Sequence, residues 1–135
     1  MLPDPEVGPS VGRREVEAFA NASGDLNPIH LSADAARAAG LEGPVLHGMY
    51  IAGRFEIFLE RLQGLHVREL NVRFIRPAPV GSSITVSARH LGAAGSRLRL
   101  RLLATITEGP LVAVGEALLE GPSDPAEQEL SLIHI

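Results

Sequence analysis

The sequence predicts an α+β fold in which an antiparallel sheet wraps around one long central helix. Two observations carry this: a run of large apolar residues at helical spacing between Leu46 and Leu62, and a change of hydrophobic period from about 3.6 to two after Gly64. With 135 residues, the chain has the length of one domain, expected over residues 1–121, and is too short for two independent cores.

The elements follow in order. Between Arg13 and Ala22, Val16, Phe19 and Ala20 fall on one helical face, and Ser23-Gly24-Asp25 ends that helix. A strand before it is expected to be abbreviated or missing. Asp25-Leu26-Asn27-Pro28 has turn chemistry, because Asp and Asn accept local backbone hydrogen bonds and Pro28 keeps Asn27 out of the helical region. Ser32 is placed to cap a short helix through Ala39, with Gly40 at its end. Gly43-Pro44 opens a further loop, and Leu46–Leu62, filled by Met49, Ile51, Ala52, Phe55, Phe58, Leu59 and their neighbours, is the longest helix.

Beyond it, Val67–Ile75, Ser83–His90, Arg97–Thr107 and Leu111–Leu119 read as four strands of a meander. Turns are expected at Pro77–Gly81, Gly92–Gly95 and Glu108–Pro110. In the third strand Leu98, Leu100 and Leu102 alternate with Arg97, Arg99 and Arg101, giving one dry and one wet face. Leu111–Leu119 is its natural hairpin neighbour. Residues 122–135 begin as a Pro- and Ser-rich linker and are expected to form a peripheral tail.

Composition narrows the function. A net charge of −4 and 4% aromatic residues offer neither attraction to phosphate backbones nor stacking platforms for bases, so no nucleic-acid partner is expected. There is no cysteine, hence no thiolate nucleophile and no disulfide. All twelve basic residues are arginine, which removes Schiff-base chemistry. No stretch approaches the roughly 18 apolar residues of a membrane span, and the N-terminus lacks the pattern of a signal peptide. A cytoplasmic protein without a membrane partner is expected.

Two constellations carry chemistry. Ser23-Gly24-Asp25-Leu26-Asn27-Pro28-Ile29-His30 brings a carboxylate and an imidazole within a few residues of each other across a stiff turn. Such a pair can hold one water from two sides and move protons near neutral pH. An Asx-type turn beside a surface histidine accounts for the same spacing. Gly43-Pro44-Val45-Leu46-His47-Gly48-Met49 enters the long helix, where free N–H groups can bind an oxygen that gains negative charge. Gly48 leaves room for a carbonyl to approach, although a helix entry packed with small residues explains it equally well. His47, His66, His90 and His134 show no metal-ligand spacing, and no metal site is assigned.

Taken together, Gly24-Asp25-x-Asn27-Pro28-x-His30 and Gly43-Pro44-x-x-His47-Gly48-Met49 closely resemble the MaoC-like and R-specific enoyl-CoA hydratases of the hot dog superfamily. Arg73-Phe74-Ile75-Arg76-Pro77 with Val80-Gly81 extends the likeness, which covers roughly Val16 to Leu119. Ala22 stands where the family commonly has a larger aliphatic residue, and Ser82 where an Asp is usual.

The resemblance implies a hot dog fold and reversible hydration of trans-2-enoyl thioesters to (R)-3-hydroxyacyl thioesters. Asp25 and His30 would be the catalytic pair, the Gly48 N–H the oxyanion donor, and Ser23 and Asn27 supporting residues. His47, Met49, Glu56, Arg73 and Arg76 would contact substrate, with the Glu56 charge near the acyl pocket and the arginines facing the carrier. It further implies a homodimer or higher homo-oligomer and no cofactor, coenzyme A or acyl carrier protein being part of the substrate. A hot dog acyl-thioesterase and a non-catalytic acyl-thioester-binding subunit are the alternatives.

Overall fold

The structure, a computed structural model, describes residues 2–122. The tail expected over residues 122–135, His134 included, lies from residue 123 onward outside the described residues.

The chain opens with strand β1 (Glu6–Ser10), followed by helix α1 (Arg13–Ser23), a 3-10 turn (Pro28–His30) and helix α2 (Ala33–Ala38). The central helix α3 (Gly48–Glu60) precedes strands β2 (His66–Phe74), β3 (Ser83–Ala94), β4 (Arg97–Ile106) and β5 (Leu111–Glu120). The opening strand is therefore present, as five residues, and it pairs antiparallel with β3. Glu6 forms an ion pair with Arg54 of α3, which ties this edge strand to the helix.

The five strands are all antiparallel in the order β1-β3-β4-β5-β2. This corrects the expected four-strand meander: β3, β4 and β5 follow one another, but β2 crosses over to pair with β5. The segment after β2 explains why. Its backbone is taken up by the stretch that enters α3, with Leu46 N–H donating to Ala78 O at 2.8 Å, Val80 N–H donating to Pro44 O at 3.0 Å, and Val45 bridged to Pro79. Pro77 and Pro79 stand in a connection that cannot close as a tight hairpin.

Element boundaries also differ, two of them for a visible reason. α3 starts at Gly48, because Val45 and Leu46 are held by those cross-links and His47 is extended at φ −64° and ψ 135°. β3 runs on to Ala94, through a bulge between His90 and Gly92, so the expected Gly92–Gly95 turn shrinks to Gly95-Ser96.

The helix packs on one face of the sheet. Ile51, Phe55, Phe58 and Leu59 meet Ile84, Val86, Leu100, Leu102, Ala117 and Leu119 in one buried cluster. β4 alternates as its sequence demands, with Leu100 and Leu102 buried and Arg97, Arg99 and Arg101 exposed. Phe55, wholly buried, lies against Gly115 of β5. Phe55→Ala is expected to lower unfolding free energy by about 3–5 kcal/mol, the usual cost of emptying an aromatic site. Denaturant unfolding at constant m-value measures it.

Candidate active site

The turn after α1 is built from its own side chains. Gly24 ends the helix in the left-handed conformation, at φ 79°, with its N–H on Ala20 O. Ser23 Oγ then accepts from Asp25 N–H, Asp25 Oδ1 from Asn27 N–H and Asn27 Oδ1 from Ile29 N–H, each at 3.2 Å. The Asx-turn account of Asp25 is thus correct for one carboxylate oxygen. The other, Oδ2, is left to face His30.

His30, 7% exposed, points back under this turn. Its Nδ1 lies 2.7 Å from Val45 O. A carbonyl can only accept, so Nδ1 carries a proton, and in the neutral imidazole Nε2 presents a bare lone pair. That Nε2 is 3.8 Å from Asp25 Oδ2, too far for a direct hydrogen bond. Two acceptors facing each other across such a gap fit a water that donates one hydrogen to each.

His47 joins this cluster from 17 residues beyond His30. It is 1% exposed, its ring stacks on His30 at a centroid distance of 3.8 Å and 26°, and its Nε2 lies 3.0 Å from Asp25 O. Phe19 of α1 covers the ring from elsewhere at 4.8 Å, and Tyr50 stands edge-on to Phe19 at 5.9 Å. Burial pushes the Tyr50 hydroxyl above its usual pKa, while the nearby Arg54 charge opposes the shift and Glu6 adds to it.

Gly48 is the first residue of α3, where the backbone N–H has no partner within its own helix. A Cβ at this position would come within 3.0 Å of the Phe74 ring, so the close approach that requires glycine is made by Phe74. Beside them lies a hollow of about 370 Å³ lined by His30, Gly48, Ile51, Phe74, Ile75 and Arg76, among others. Over Val45 and Pro77 it borders a second hollow of about 520 Å³, with Leu41, Pro44 and Val80 in its wall.

Asp25, His30, His47 and Gly48 are thus brought together, and Arg76 lines the adjoining hollow. The other expected substrate contacts are placed differently. His47 is shut away behind His30, because the stack and the Asp25 carbonyl occupy it. Met49 is 69% exposed and outside the hollow, and Glu56 lies on the exposed side of α3. Arg73 points to the outer face of the sheet, since it pairs with Val114 while its neighbour Phe74 pairs with the buried Ala113. There it borders a cavity of about 530 Å³ with Arg101 and Glu116, away from His30. Sequence reasoning missed Phe19, Phe74 and the Val45 carbonyl. Phe74 had a signal, its place in the Arg73–Pro77 segment; the carbonyl had none.

Chain spacing also concealed that Asp25, His30 and His47 offer ligand atoms within 4.8 Å of one another. Zinc needs the nitrogen lone pairs to converge on one point about 2.0–2.1 Å from each. Rings stacked at 26° send their in-plane lone pairs along nearly parallel planes, which do not converge on one point. Among the described residues no helix is long and apolar enough to cross a membrane.

Comparison with known proteins agrees with this architecture. The family model described as "MaoC like domain" matches residues 2–107. Over 116 residues the sequence is 34% identical to an (R)-specific enoyl-CoA hydratase of Aeromonas caviae, covering 82% of this chain and 87% of that protein. It is 37% identical over 106 residues to the fatty acid synthase beta subunit TOXC of Cochliobolus carbonum, covering 75% of this chain but spanning only 5% of that subunit's length. The solved (R)-hydratase from A. caviae involved in PHA biosynthesis superposes with a TM-score of 0.77 at 26% identity, over 90% of this chain and 97% of that one.

Proposed function

The chain belongs to the MaoC-like domain family of the hot dog fold, and from that premise we propose that it is a hydro-lyase for enoyl thioesters. It adds water to a trans-2-enoyl thioester to give an (R)-3-hydroxyacyl thioester, or runs the reverse dehydration. The observation that carries this reading is the 3.8 Å gap between Asp25 Oδ2 and Nε2 of His30, a spacing one water can bridge, beside the free N–H at the start of α3.

The chemistry balances without a cofactor beyond the thioester's own carrier. The water oxygen bonds to C3 as one of its protons passes to the Asp25–His30 pair. The C2=C3 electron pair moves toward the thioester oxygen, where the Gly48 N–H stabilises the growing charge. C2 then takes a proton from the pair, which returns to its starting state. Asp25 and His30 share these transfers as a coupled unit. The apolar hollow beside Gly48 receives the acyl end of the substrate, and Arg76 faces the carrier.

The test is loss of enoyl absorbance with crotonyl-CoA and longer enoyl-CoAs, with the configuration of the 3-hydroxy product determined. Formation of the (R)-alcohol supports the proposal; release of free thiol without loss of the double bond replaces it with a thioesterase.

The working unit is proposed to be a homodimer. β2 is the terminal strand of the sheet, seven of its nine residues are exposed, and an unpaired edge of this length invites pairing. Phe74 and Ile75 at its end and Met49 and Ile57 on α3 add exposed apolar side chains, at 41% to 69% exposure. Light scattering at micromolar concentration is expected to give a dimer mass or a multiple of it; a fully active monomer would contradict the assignment.

A further inference from the structure

His47 touches His30, Phe19 and the Asp25 carbonyl while itself buried. It is 1% exposed, and its ring lies 3.8 Å from His30 on a near-parallel plane, with Phe19 4.8 Å away. Its Nε2 meets the carbonyl of Asp25, which as a pure acceptor requires the proton on that nitrogen. Its own backbone is the extended N-cap residue from which Gly48 opens α3. We infer that His47 is a positioning residue, whose stacked ring and Nε2–H hold the His30 imidazole and the Asp25 turn in register with the start of α3. The inference rests on the hydration reading above.

The physical case is one of side-chain identity. The position needs a flat ring to fill the space between His30 and Phe19, and a donor on the ring's edge to reach the Asp25 carbonyl. Phenylalanine has the ring without the donor, and glutamine has the donor without the ring. The His30 proton is fixed from the other side by Val45 O, at 2.7 Å, so His47 sets where that imidazole lies while Val45 sets which nitrogen is bare. The turn's internal bonds tie Asp25 only to its close neighbours Ser23 and Asn27. The bond to His47, 22 residues away, anchors the turn to the helix that carries Gly48.

The experiment compares His47→Phe and His47→Gln with the native protein, each also in the Asp25→Asn background, using an enoyl-CoA hydration assay. Either single change is expected to lower kcat by about tenfold to a hundredfold, the scale on which misplacing a reacting group by ~1 Å acts. KM should be unchanged. In the Asp25→Asn background the loss should largely vanish, because the group through which His47 acts is already gone. A raised KM with native kcat would make His47 a substrate contact, and equal losses in both backgrounds would make it a general prop of the fold; each overturns the inference. If neither variant folds, the imidazole nitrogen spectrum of the native protein decides, with His47 protonated at Nε2 expected and at Nδ1 excluding the bond to Asp25. Absence of hydration by the native protein overturns the hydration reading itself, and the same spectrum then tests the geometry without substrate.

Discussion

Changing Asp25 to Asn, or His30 to Gln, is expected to lower kcat for enoyl-thioester hydration by about 10²-fold or more, the usual worth of a positioned acid or base. Asn keeps an oxygen for the Asn27 N–H, so the turn that Asp25 Oδ1 supports survives. What it loses is the proton affinity of the second oxygen, the one facing His30. Gln at position 30 likewise retains a polar side chain but has no lone pair of comparable basicity for the water. In the proposed mechanism the two groups hold one water between them, so removing either disables the same step. The double variant should be little slower than the worse single one. Thermal unfolding of each variant checks that the fold is kept. Folded variants with native turnover would return Asp25 and His30 to a turn and a buried histidine.

The second large effect is expected at Gly48, where the fold permits an unusually clean removal of one N–H. Proline is well tolerated as the first residue of a helix, since the N–H it lacks has no partner there. The residue before a proline must be extended, and His47 already is, at φ −64° and ψ 135°. Gly48→Pro should therefore fold yet lose the proposed oxyanion donor. Any Cβ at this position meets the Phe74 ring at 3.0 Å, so Gly48→Ala, which keeps the N–H, is the matched control. Phe74 is half-exposed and free to swing aside in both variants. The proline variant is expected to fall below the alanine variant by about 10²–10³-fold in kcat, as for removal of an oxyanion-hole donor. Equal activities would leave glycine there for Phe74 alone.

The sequence by itself determined those features whose cause lies within a few residues. The Leu and Arg alternation of β4 fixed which of its faces is dry, Ser32 Oγ accepts from Ala35 N–H as a cap should, and Ser23, Asp25 and Asn27 fold their turn through bonds spanning two residues. Proximity in the chain makes such contacts cheap in entropy, so residue type and spacing suffice to read them. Only the tertiary structure decided the rest. A period of two says that Arg73 and Phe74 face opposite ways, but the pairing of β2 with β5 put Phe74 over Gly48 and sent Arg73 to the outer face. The crossover of β2 arose because the chain after it is bonded to Pro44–Leu46. His47 and the Val45 carbonyl reached Asp25 and His30 from 22 and 15 residues away, with no local pattern to announce them. Contacts of that range are selected by how the whole core packs, with α3 seated on the sheet and α1 closing over it, and no short stretch of sequence contains that choice.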